Sequence, residues 1–342
     1  MKSWSLPPET VKRRMPVNLT GDELDVFSHE QTRHFEALQT IRGAWDVAPD
    51  GLLLKPRTGR VDSRSFQSPR PRGLSGIKTF LKGQFYRWTH VRQPLKPSSG
   101  REFLIITDEF SNGYFHWVTD ALPKLVWLAG DLGQFELLLP AFAHRYSYME
   151  ESLAAWPQLR WRVVEPQTRS AVTDALLVPA LAPTGNYRPE TIRRLGDTWR
   201  TKVGADRPFR RIYVSRAKAP WRKIRNEAEV QALLTKFDFK TVFLEDLSFE
   251  AQVRLLAETR ILVSNHGAGL TNLLFQQPGN RVLEIRLRGD THNNCYFSLA
   301  SAAELDYAYL LAEPADPDDH KVHTADLVVD VAALSSVLEK WG

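Results

Sequence analysis

Short apolar runs recur along the second half of the chain, and each is followed by a segment with helical spacing of its apolar residues. The runs predict strands and the segments between them predict helices. The predicted strands are 211–214, 241–244, 261–263, 282–285 and 307–311. The predicted helices are 226–237, 248–258, 270–275 and 294–304. This alternation is typical of a parallel α/β unit. A last helix is predicted over 331–340, packing back on the first domain of the chain.

The first half of the chain shows a looser version of the same alternation. The predicted strands are 52–54, 103–107, 135–139, 161–164 and 175–178, and the predicted helices are 22–41, 114–128, 146–156 and 188–203. A boundary at 204–208 gives two domains, 1–204 and 205–342. The predicted fold class is therefore α/β, with two Rossmann-like doubly wound domains facing across a cleft. Ligands bind in such folds at the carboxyl ends of the strands.

The composition is that of a soluble globular protein, because 43% of the 342 residues are hydrophobic and 25% are charged. Cys295 is the single cysteine of the sequence, so no internal disulfide can form. No apolar run approaches the roughly 20 residues that a membrane helix needs. The N-terminal segment lacks the apolar core of a secretory signal. These features predict a cytoplasmic protein.

The net charge of +5 is concentrated between residues 51 and 100, where Asp62 is the one acidic residue. The cations are Lys55, Arg57, Arg60, Arg64, Arg70, Arg72, Lys78, Lys82, Arg87, Arg92 and Lys96. Segment 57–76 is also rich in Ser, Pro and Gly, which predicts an exposed loop. A solvated basic loop is the favoured interpretation of this region. Peripheral contact with an anionic membrane is a second interpretation. Specific nucleic-acid binding is disfavoured, because no nucleic-acid-binding motif accompanies the charge.

A glycine turn follows the predicted strand at 261–263. It consists of His266, Gly267, Ala268 and Gly269, and a helical pattern begins at Leu270. Such a turn presents backbone N–H groups and the positive end of a helix dipole, which suits a phosphate. Polar side chains, among them Thr271 and Asn272, surround it. The alternative is an ordinary strand–helix turn with glycines for steric reasons.

A cationic loop follows the predicted strand at 211–214. Ser215 and Arg216 come directly after the strand, and Arg222 lies in the loop that follows. Arginine suits a diphosphate because its planar fork bonds two oxygens at once. Parallel topology places this loop and the glycine turn at the same sheet edge, so we expect them to converge. The alternative is a solvated basic loop.

Two further groups are candidates for chemistry. His116 and Asp120 lie four residues apart and share a helix face, as a general base and its orienting carboxylate would. Pro123 predicts a kink in that helix or a later start. The alternative is a structural His–Asp hydrogen bond. Glu284, near the end of a strand, is a candidate acceptor for sugar or ribose hydroxyls. No zinc motif and no Walker A loop is present, so no metal site is predicted.

Taken together, these motifs resemble those of glycosyltransferase family 61. In the family's order they are GYFHWVTDALP at 113–123, YVSR at 213–216, LSFEAQ at 247–252, HGAGLTN at 266–272 and VLEI at 282–285. The resemblance implies a GT-B architecture and inverting sugar transfer that requires no metal or other cofactor. Because no anchor is predicted, the chain resembles the soluble bacterial members linked to capsular or surface polysaccharide.

The resemblance also implies a role for each candidate. His116 or Asp120 would be the base and the other its orienter. The donor site would comprise Ser215, Arg216, Arg222, His266, Gly267, Ala268, Gly269, Leu270, Thr271, Asn272 and Glu284. The expected partners are a nucleotide-sugar, with a UDP-sugar favoured, and a glycan or lipid-linked glycan acceptor. The alternatives are a nucleotide-sugar epimerase of GT-B type and a non-catalytic protein that binds a nucleotide-sugar or polysaccharide.

Overall fold

The computed structural model of the chain describes residues 2–67, 73–291, 293–319 and 321–341. The chain forms two compact units. Unit 1 contains Met1–Glu9 and Phe35–Thr184, and unit 2 contains Thr10–His34 and Gly185–Gly342. Both units combine helices with a central sheet, so the predicted α/β class is confirmed.

The strands are β1 (Ser5–Leu6), β2 (Glu9–Lys12), β3 (Thr32–Phe35), β4 (Leu38–Gln39), β5 (Ile41–Val47), β6 (Leu53–Leu54), β7 (Val91–Pro94), β8 (Glu102–Ile105), β9 (Phe135–Leu139), β10 (Arg160–Val163), β11 (Thr168–Leu177), β12 (Arg210–Val214), β13 (Lys240–Val242), β14 (Thr259–Asn265), β15 (Arg281–Leu287), β16 (Asp306–Pro314) and β17 (Leu327–Val328). The α-helices are α1 (Leu24–Ser28), α2 (Gly73–Thr89), α3 (Tyr114–His116), α4 (Leu122–Trp127), α5 (Ser147–Leu153), α6 (Pro189–Val203), α7 (Glu227–Lys236), α8 (Phe249–Ala257), α9 (Cys295–Ala302) and α10 (Val331–Glu339).

The sheet of unit 2 has the order β13-β12-β14-β15-β16-β17. Its first five strands are parallel and β17 is antiparallel, so the predicted five-strand series is confirmed and gains an edge strand. The strand order reverses between β12 and β14, which is the switch point where α/β sheets bind ligands. Val214 of β12 is in register with Ser264 of β14. The two candidate loops therefore leave the sheet side by side, as expected.

The predicted boundary at 204/205 differs from the observed one at 184/185. Helix α6 starts at Pro189 and ends at Val203, and Gly204, which follows it, has the left-handed φ of +58° that is common at helix ends. Its Trp199 packs edge-on against Phe249 of α8, with ring centroids 4.9 Å apart. The helix thus belongs to unit 2. Helix α10 also packs within unit 2, because Leu334 and Leu338 are part of that unit's core.

The main sheet of unit 1 is mixed, which corrects the prediction of a parallel sheet there. Strands β10, β9, β8 and β11 run parallel, whereas β11 pairs with β5 and β5 with β6 in antiparallel fashion. Gly51, with a φ of +86°, closes the tight turn between β5 and β6. Because of that turn, β6 pairs with β5 in antiparallel fashion. The sequence pattern predicted a short strand at 52–54 but not its direction.

Two other predictions in the first hundred residues are wrong. The predicted helix at 22–41 is only α1, followed by β3, β4 and the start of β5. The predicted exposed loop at 57–76 ends earlier, because α2 begins at Gly73 and runs for 17 residues. Arg70 and Arg72 lie outside the described residues. Within the described ranges, no helix has the length and apolarity that a membrane crossing requires.

Candidate functional site

His116 and Asp120 of unit 1 form a bonded pair. Nδ1 of His116 donates to Oδ2 of Asp120 at 2.9 Å. The side chain of His116 is 27% exposed, whereas that of Asp120 is 6% exposed. The ring of Phe110 stacks on the imidazole with centroids 5.0 Å apart. Nε2 of His116 forms no hydrogen bond with any residue of the described ranges. The imidazole therefore presents one nitrogen outward while the carboxylate fixes the other.

A π-helical turn at Trp117–Ala121 joins α3 to α4 and carries this pair. Pro123 explains the irregularity, because proline has no N–H to continue an α-helical ladder and clashes with the carbonyl four residues earlier. The hydroxyl of Thr119 donates to the carbonyl of Phe115 at 2.8 Å. The predicted disruption at Pro123 is thus a widened turn within a continuous helix. Such turns occur frequently at functional sites.

Asp120 collects further donors on the same oxygen. Oγ1 of Thr184 donates to Oδ2 at 2.9 Å, and Nε2 of Gln67 donates to it at 3.0 Å. The same Nε2 lies 2.7 Å from Oδ2 of Asp108, so Gln67 bridges the two carboxylates. Together with the His116 bond, these contacts bring three donors to one oxygen of Asp120. Neither Gln67 nor Thr184 was a sequence candidate, because no motif or spacing marks them.

Lys124 lies beneath the pair and is fully buried. Its Nζ donates to the carbonyl of Ile106 at 2.6 Å and lies 3.9 Å from Oδ2 of Asp108. Burial lowers the pKa of Lys124, against the opposing effect of Asp108, Asp120 and Glu109. Burial also raises the pKa of Glu109. Lys124, Asp108 and Glu109 therefore form a desolvated cluster of ionisable groups next to the His116–Asp120 pair. Such an environment is typical of functional sites.

Arg216 and Gly267 lie in direct contact in unit 2. A Cβ on Gly267 would overlap the guanidinium of Arg216. Burial lowers the pKa of Arg216, and the nearby Arg222 lowers it further. Nη2 of Arg216 makes one long hydrogen bond, 3.4 Å, to the carbonyl of Trp221. The glycine turn thus accommodates an arginine side chain.

Arg222 has a left-handed backbone, with a φ of +58°. Its carbonyl accepts a hydrogen bond of 2.5 Å from Nδ2 of Asn265, the last residue of β14. This bond between neighbouring loops stabilises a conformation that costs energy for a residue with a Cβ. Nε of Arg222 and Nε of Arg216 are buried without a hydrogen-bond partner among the described residues. Neither arginine forms an ion pair with a described carboxylate. Two adjacent cations with unbonded donors have the chemistry that anion binding requires.

His266 forms a hydrogen bond with the buried residue Glu284. Nδ1 of His266 donates to Oε1 of Glu284 at 2.5 Å, and the hydroxyl of Tyr307 donates to Oε2 at 2.6 Å. Glu284 has no exposed surface. Burial alone would raise its pKa, but His266, Arg286 and Tyr307 outweigh that effect and the pKa lies below its usual value. Glu284 therefore orients His266. The expectation that it receives a ligand hydroxyl does not fit this burial.

Ser215 also differs from its expected place. It is buried, its hydroxyl donates to Oε1 of Glu227 at 2.6 Å, and the hydroxyl of Tyr213 donates to the same oxygen at 2.7 Å. Glu227 was not a site candidate. The side chain of Asn226, which precedes α7, does not cap the helix, because its amide pairs with the backbone of Val329.

The turn after β14 exposes only part of the predicted phosphate loop. Ala268–Phe275 is a 3-10 helix, where an α-helix was predicted. Leu270, Thr271 and Asn272 are buried, and the amide of Asn272 donates to the side chain of Gln252. Gly269 packs against Val214, and a Cβ there would lie 3.0 Å from that side chain. Of the remaining groups, Ala268 is exposed and Arg216 and Arg222 are partly exposed, whereas His266 and Gly267 beside them are largely buried.

Metal ligands are not gathered at either place. Among the described residues, no three His, Cys, Asp or Glu side chains are grouped so that they could hold a metal ion. The carboxylates Asp108 and Asp120 are instead bridged by the Gln67 amide. The available chemistry is thus an imidazole with a bonded carboxylate in unit 1 and a pair of arginines beside a glycine turn in unit 2.

Sequence comparisons relate this chain to glycosyltransferases. The glycosyltransferase 61 family matches residues 114–283. A 107-residue segment, 30% of this chain, is 36% identical to "Protein O-linked-mannose beta-1,4-N-acetylglucosaminyltransferase 2" of Bos taurus and covers 18% of that protein. A 95-residue segment, 27% of this chain, is 38% identical to "EGF domain-specific O-linked N-acetylglucosamine transferase" of Drosophila melanogaster and again covers 18% of it.

The match spans less than a fifth of the length of these curated relatives. The family match is broader and contains both candidate places. It includes His116 and Asp120 at its start and Arg216, Arg222 and Gly267 towards its end. Through this region, the chain belongs to the glycosyltransferase 61 family.

Proposed function

We propose that the protein is an inverting glycosyltransferase. It moves a sugar from a nucleotide-sugar, with a UDP-sugar favoured, to a hydroxyl of a glycan or lipid-linked glycan in surface polysaccharide synthesis. The observation that carries the proposal is the pair Arg216 and Arg222 at the switch point of the unit 2 sheet. Both have a buried Nε atom without a hydrogen-bond partner in the described part of the chain. A diphosphate supplies the anionic acceptors that these donors lack.

The donor half of the reaction belongs to unit 2. Arg216 and Arg222 neutralise the charge that develops on the diphosphate as the sugar leaves. The glycine turn lets the phosphates approach the backbone near Gly267 and Ala268. His266, oriented by Glu284, lies in the same turn and completes the donor site. We propose that these groups, and no metal ion or other cofactor, carry the leaving-group charge.

The acceptor half belongs to unit 1. We assign the base to His116 and the orienting role to Asp120, because His116 is the more exposed and Oδ2 of Asp120 already accepts three hydrogen bonds. Nε2 of His116 takes the proton of the acceptor hydroxyl. The acceptor oxygen forms its bond to the anomeric carbon as the bond to the diphosphate breaks. The nucleoside diphosphate leaves with the electron pair, and this single displacement inverts the anomeric configuration.

Two finer proposals follow from the family. We propose that the two units are the two domains of a GT-B enzyme, with donor binding on unit 2. The relatives' names specify N-acetylglucosamine transfer by those proteins. UDP-N-acetylglucosamine is therefore the first donor to test.

A thermal-shift panel tests the donor site. UDP, GDP, CMP and their common sugar conjugates are added, without metal, to wild type, Arg216→Ala and the exposed-site control Arg260→Ala. A ligand that binds only the native state must raise its stability. We expect a shift with uridine nucleotides that is retained in Arg260→Ala and lost in Arg216→Ala. If folded wild-type protein shows no shift with any nucleotide, the donor assignment is wrong.

A product assay separates transfer from the alternatives. Donor is incubated with and without glycan acceptors, in the presence and absence of a chelator. We expect acceptor-dependent release of nucleoside diphosphate that the chelator does not reduce. Conversion of the donor to its epimer without acceptor would favour the epimerase. Nucleotide binding without turnover on any acceptor class would favour the non-catalytic binding protein.

A further inference from the structure

Helix α2 turns its apolar side chains towards solvent. Leu74, Ile77, Leu81, Phe85 and Trp88 are 80%, 56%, 59%, 55% and 78% exposed. Their spacing of three or four residues places them in one stripe along the helix. Phe80, beside the stripe, is also exposed. Contiguous exposed apolar stripes of this kind mark interaction sites, unlike single exposed apolar residues.

The opposite face of α2, which contacts the body of unit 1, carries small or polar groups and Tyr86, which packs against the core residues Leu52, Leu54 and Val61. Gly83 is its one buried residue, and a Cβ there would lie 2.5 Å from the carbonyl oxygen of Gly59. Arg87 and Gln84 donate to the carbonyl of Thr58 at 3.2 and 3.1 Å. The helix is thus held by a close backbone approach, by polar bonds and by the packing of Tyr86. Its apolar stripe contributes nothing to the core of the described structure.

The surroundings of the stripe are cationic. Lys78 and Lys82 flank it on the helix, and Lys55, Arg57 and Arg60 are exposed on the loop against which the helix packs. Lys82 is paired with Asp50 at 2.7 Å. Asp62, the one acid between residues 51 and 100, is buried. The exposed charge around the stripe is therefore positive, which repels a second copy of the same face and favours an anionic partner.

We propose that α2 binds the surface of a bilayer containing anionic phospholipids. Leu, Ile, Phe and Trp side chains on one face with lysines beside them are the pattern of a helix that lies in the membrane interface. Trp88 and Phe85 suit the headgroup region. Lys78 and the cations of the 55–60 loop attract phosphate headgroups. The inference goes beyond the proposed sugar transfer and does not depend on it.

Vesicle flotation tests the proposal with the full chain. Vesicles of phosphatidylcholine, with and without phosphatidylglycerol, are mixed with wild type, Leu81→Asn, Trp88→Asn and Lys78→Gln. Phe209→Asn, an exposed aromatic site in unit 2, is the matched control. We expect wild type and control to float with anionic vesicles only. Leu81→Asn and Trp88→Asn should each weaken binding about tenfold, and Lys78→Gln about fivefold at low salt.

The substituted residues are exposed, so circular dichroism and thermal unfolding should be unchanged in all variants. The proposal is overturned if wild type fails to float with anionic vesicles, or if Leu81→Asn and Trp88→Asn bind as well as Phe209→Asn. Sedimentation velocity tests whether a second copy of the chain covers the stripe instead. If wild type is a dimer that the same two substitutions dissociate, and vesicles do not bind, the stripe is an interface between copies of the chain and the proposal is wrong.

Discussion

The guanidinium of Arg216 lies where a side chain at residue 267 would otherwise be, because Gly267 leaves that space open. The two residues are distant in sequence, but Val214 and Ser264 pair in register on neighbouring parallel strands. The loops that follow must therefore meet. The glycine serves the position of the arginine as much as the approach of a phosphate.

Gly267→Ala should weaken nucleotide binding about tenfold, because displacing the guanidinium removes one charge-assisted contact to the diphosphate. Titration calorimetry with UDP measures the change. Gly21→Ala is the matched control, since a Cβ there meets no atom within 4 Å. Equal dissociation constants for both variants and wild type would contradict the role assigned to this contact.

Ser215→Ala tests whether Ser215 binds the donor, as the sequence predicted, or stabilises the fold through Glu227, as the structure indicates. The hydroxyl bonds to Glu227 and is buried, so its loss should cost about 1 kcal/mol of the free energy of unfolding. The dissociation constant for UDP should stay within about twofold. Urea unfolding and calorimetry measure the two quantities. A large loss of UDP affinity with an unchanged free energy of unfolding would mean that Ser215 belongs to the donor site.

The hydrophobic pattern predicted much of this arrangement. Buried strands such as β9 and β14 contain short apolar runs, at 137–139 and 261–263. Parallel topology predicts that the loops after β12 and β14 converge. The His116–Asp120 contact follows from helical spacing. These features depend on local periodicity, which the sequence carries directly.

Other features depend on packing that no local pattern specifies. Glu284 alternates with apolar residues in a strand, and its burial results from Tyr307 and His266 closing over it. Gln67 reaches Asp120 from 53 residues away. Helix α2 was missed because its apolar residues face solvent among many cations, so the segment resembles a basic loop in composition.

His116→Ala should lower kcat by about a hundredfold or more, because the acceptor hydroxyl loses its base. Asp120→Asn should also lower kcat, because an amide cannot hold the same imidazole tautomer as firmly. UDP affinity should be unchanged in both, since the donor groups belong to unit 2. His144→Ala, at an exposed histidine paired with Glu150, is the control and should retain activity. Steady-state kinetics with saturating donor measures kcat.

If Asp120→Asn abolishes turnover while His116→Ala retains most of it, the base is Asp120 and the assignment is reversed. A pH profile adds a second test. The acidic limb of kcat should move when His116 is replaced by Gln and should keep its position in His144→Ala. Loss of UDP binding in either unit 1 variant would instead indicate a general effect on folding.

Glu284 should make the protein sensitive to acid. Its pKa lies below the ordinary value of 4.5, despite burial, because of His266, Arg286 and Tyr307. The folded state therefore favours the carboxylate more than the unfolded state does. That stabilisation is fully present above 4.5 and is lost as the pH falls through the folded-state pKa. Glu284→Gln should thus be about 2 kcal/mol less stable than wild type near neutral pH. The difference should shrink steadily below about pH 4.

Urea unfolding of both proteins at a series of pH values measures this difference directly. Asp290 also has a lowered pKa, so the wild-type curve alone contains more than one contribution. Subtracting the Glu284→Gln curve removes contributions that the two proteins share. The exposed residue Glu250 supplies the control, since Glu250→Gln should give a curve parallel to wild type. A difference between wild type and Glu284→Gln that grows in acid would mean that folding raises the Glu284 pKa, and His266 would then lack an ionised partner.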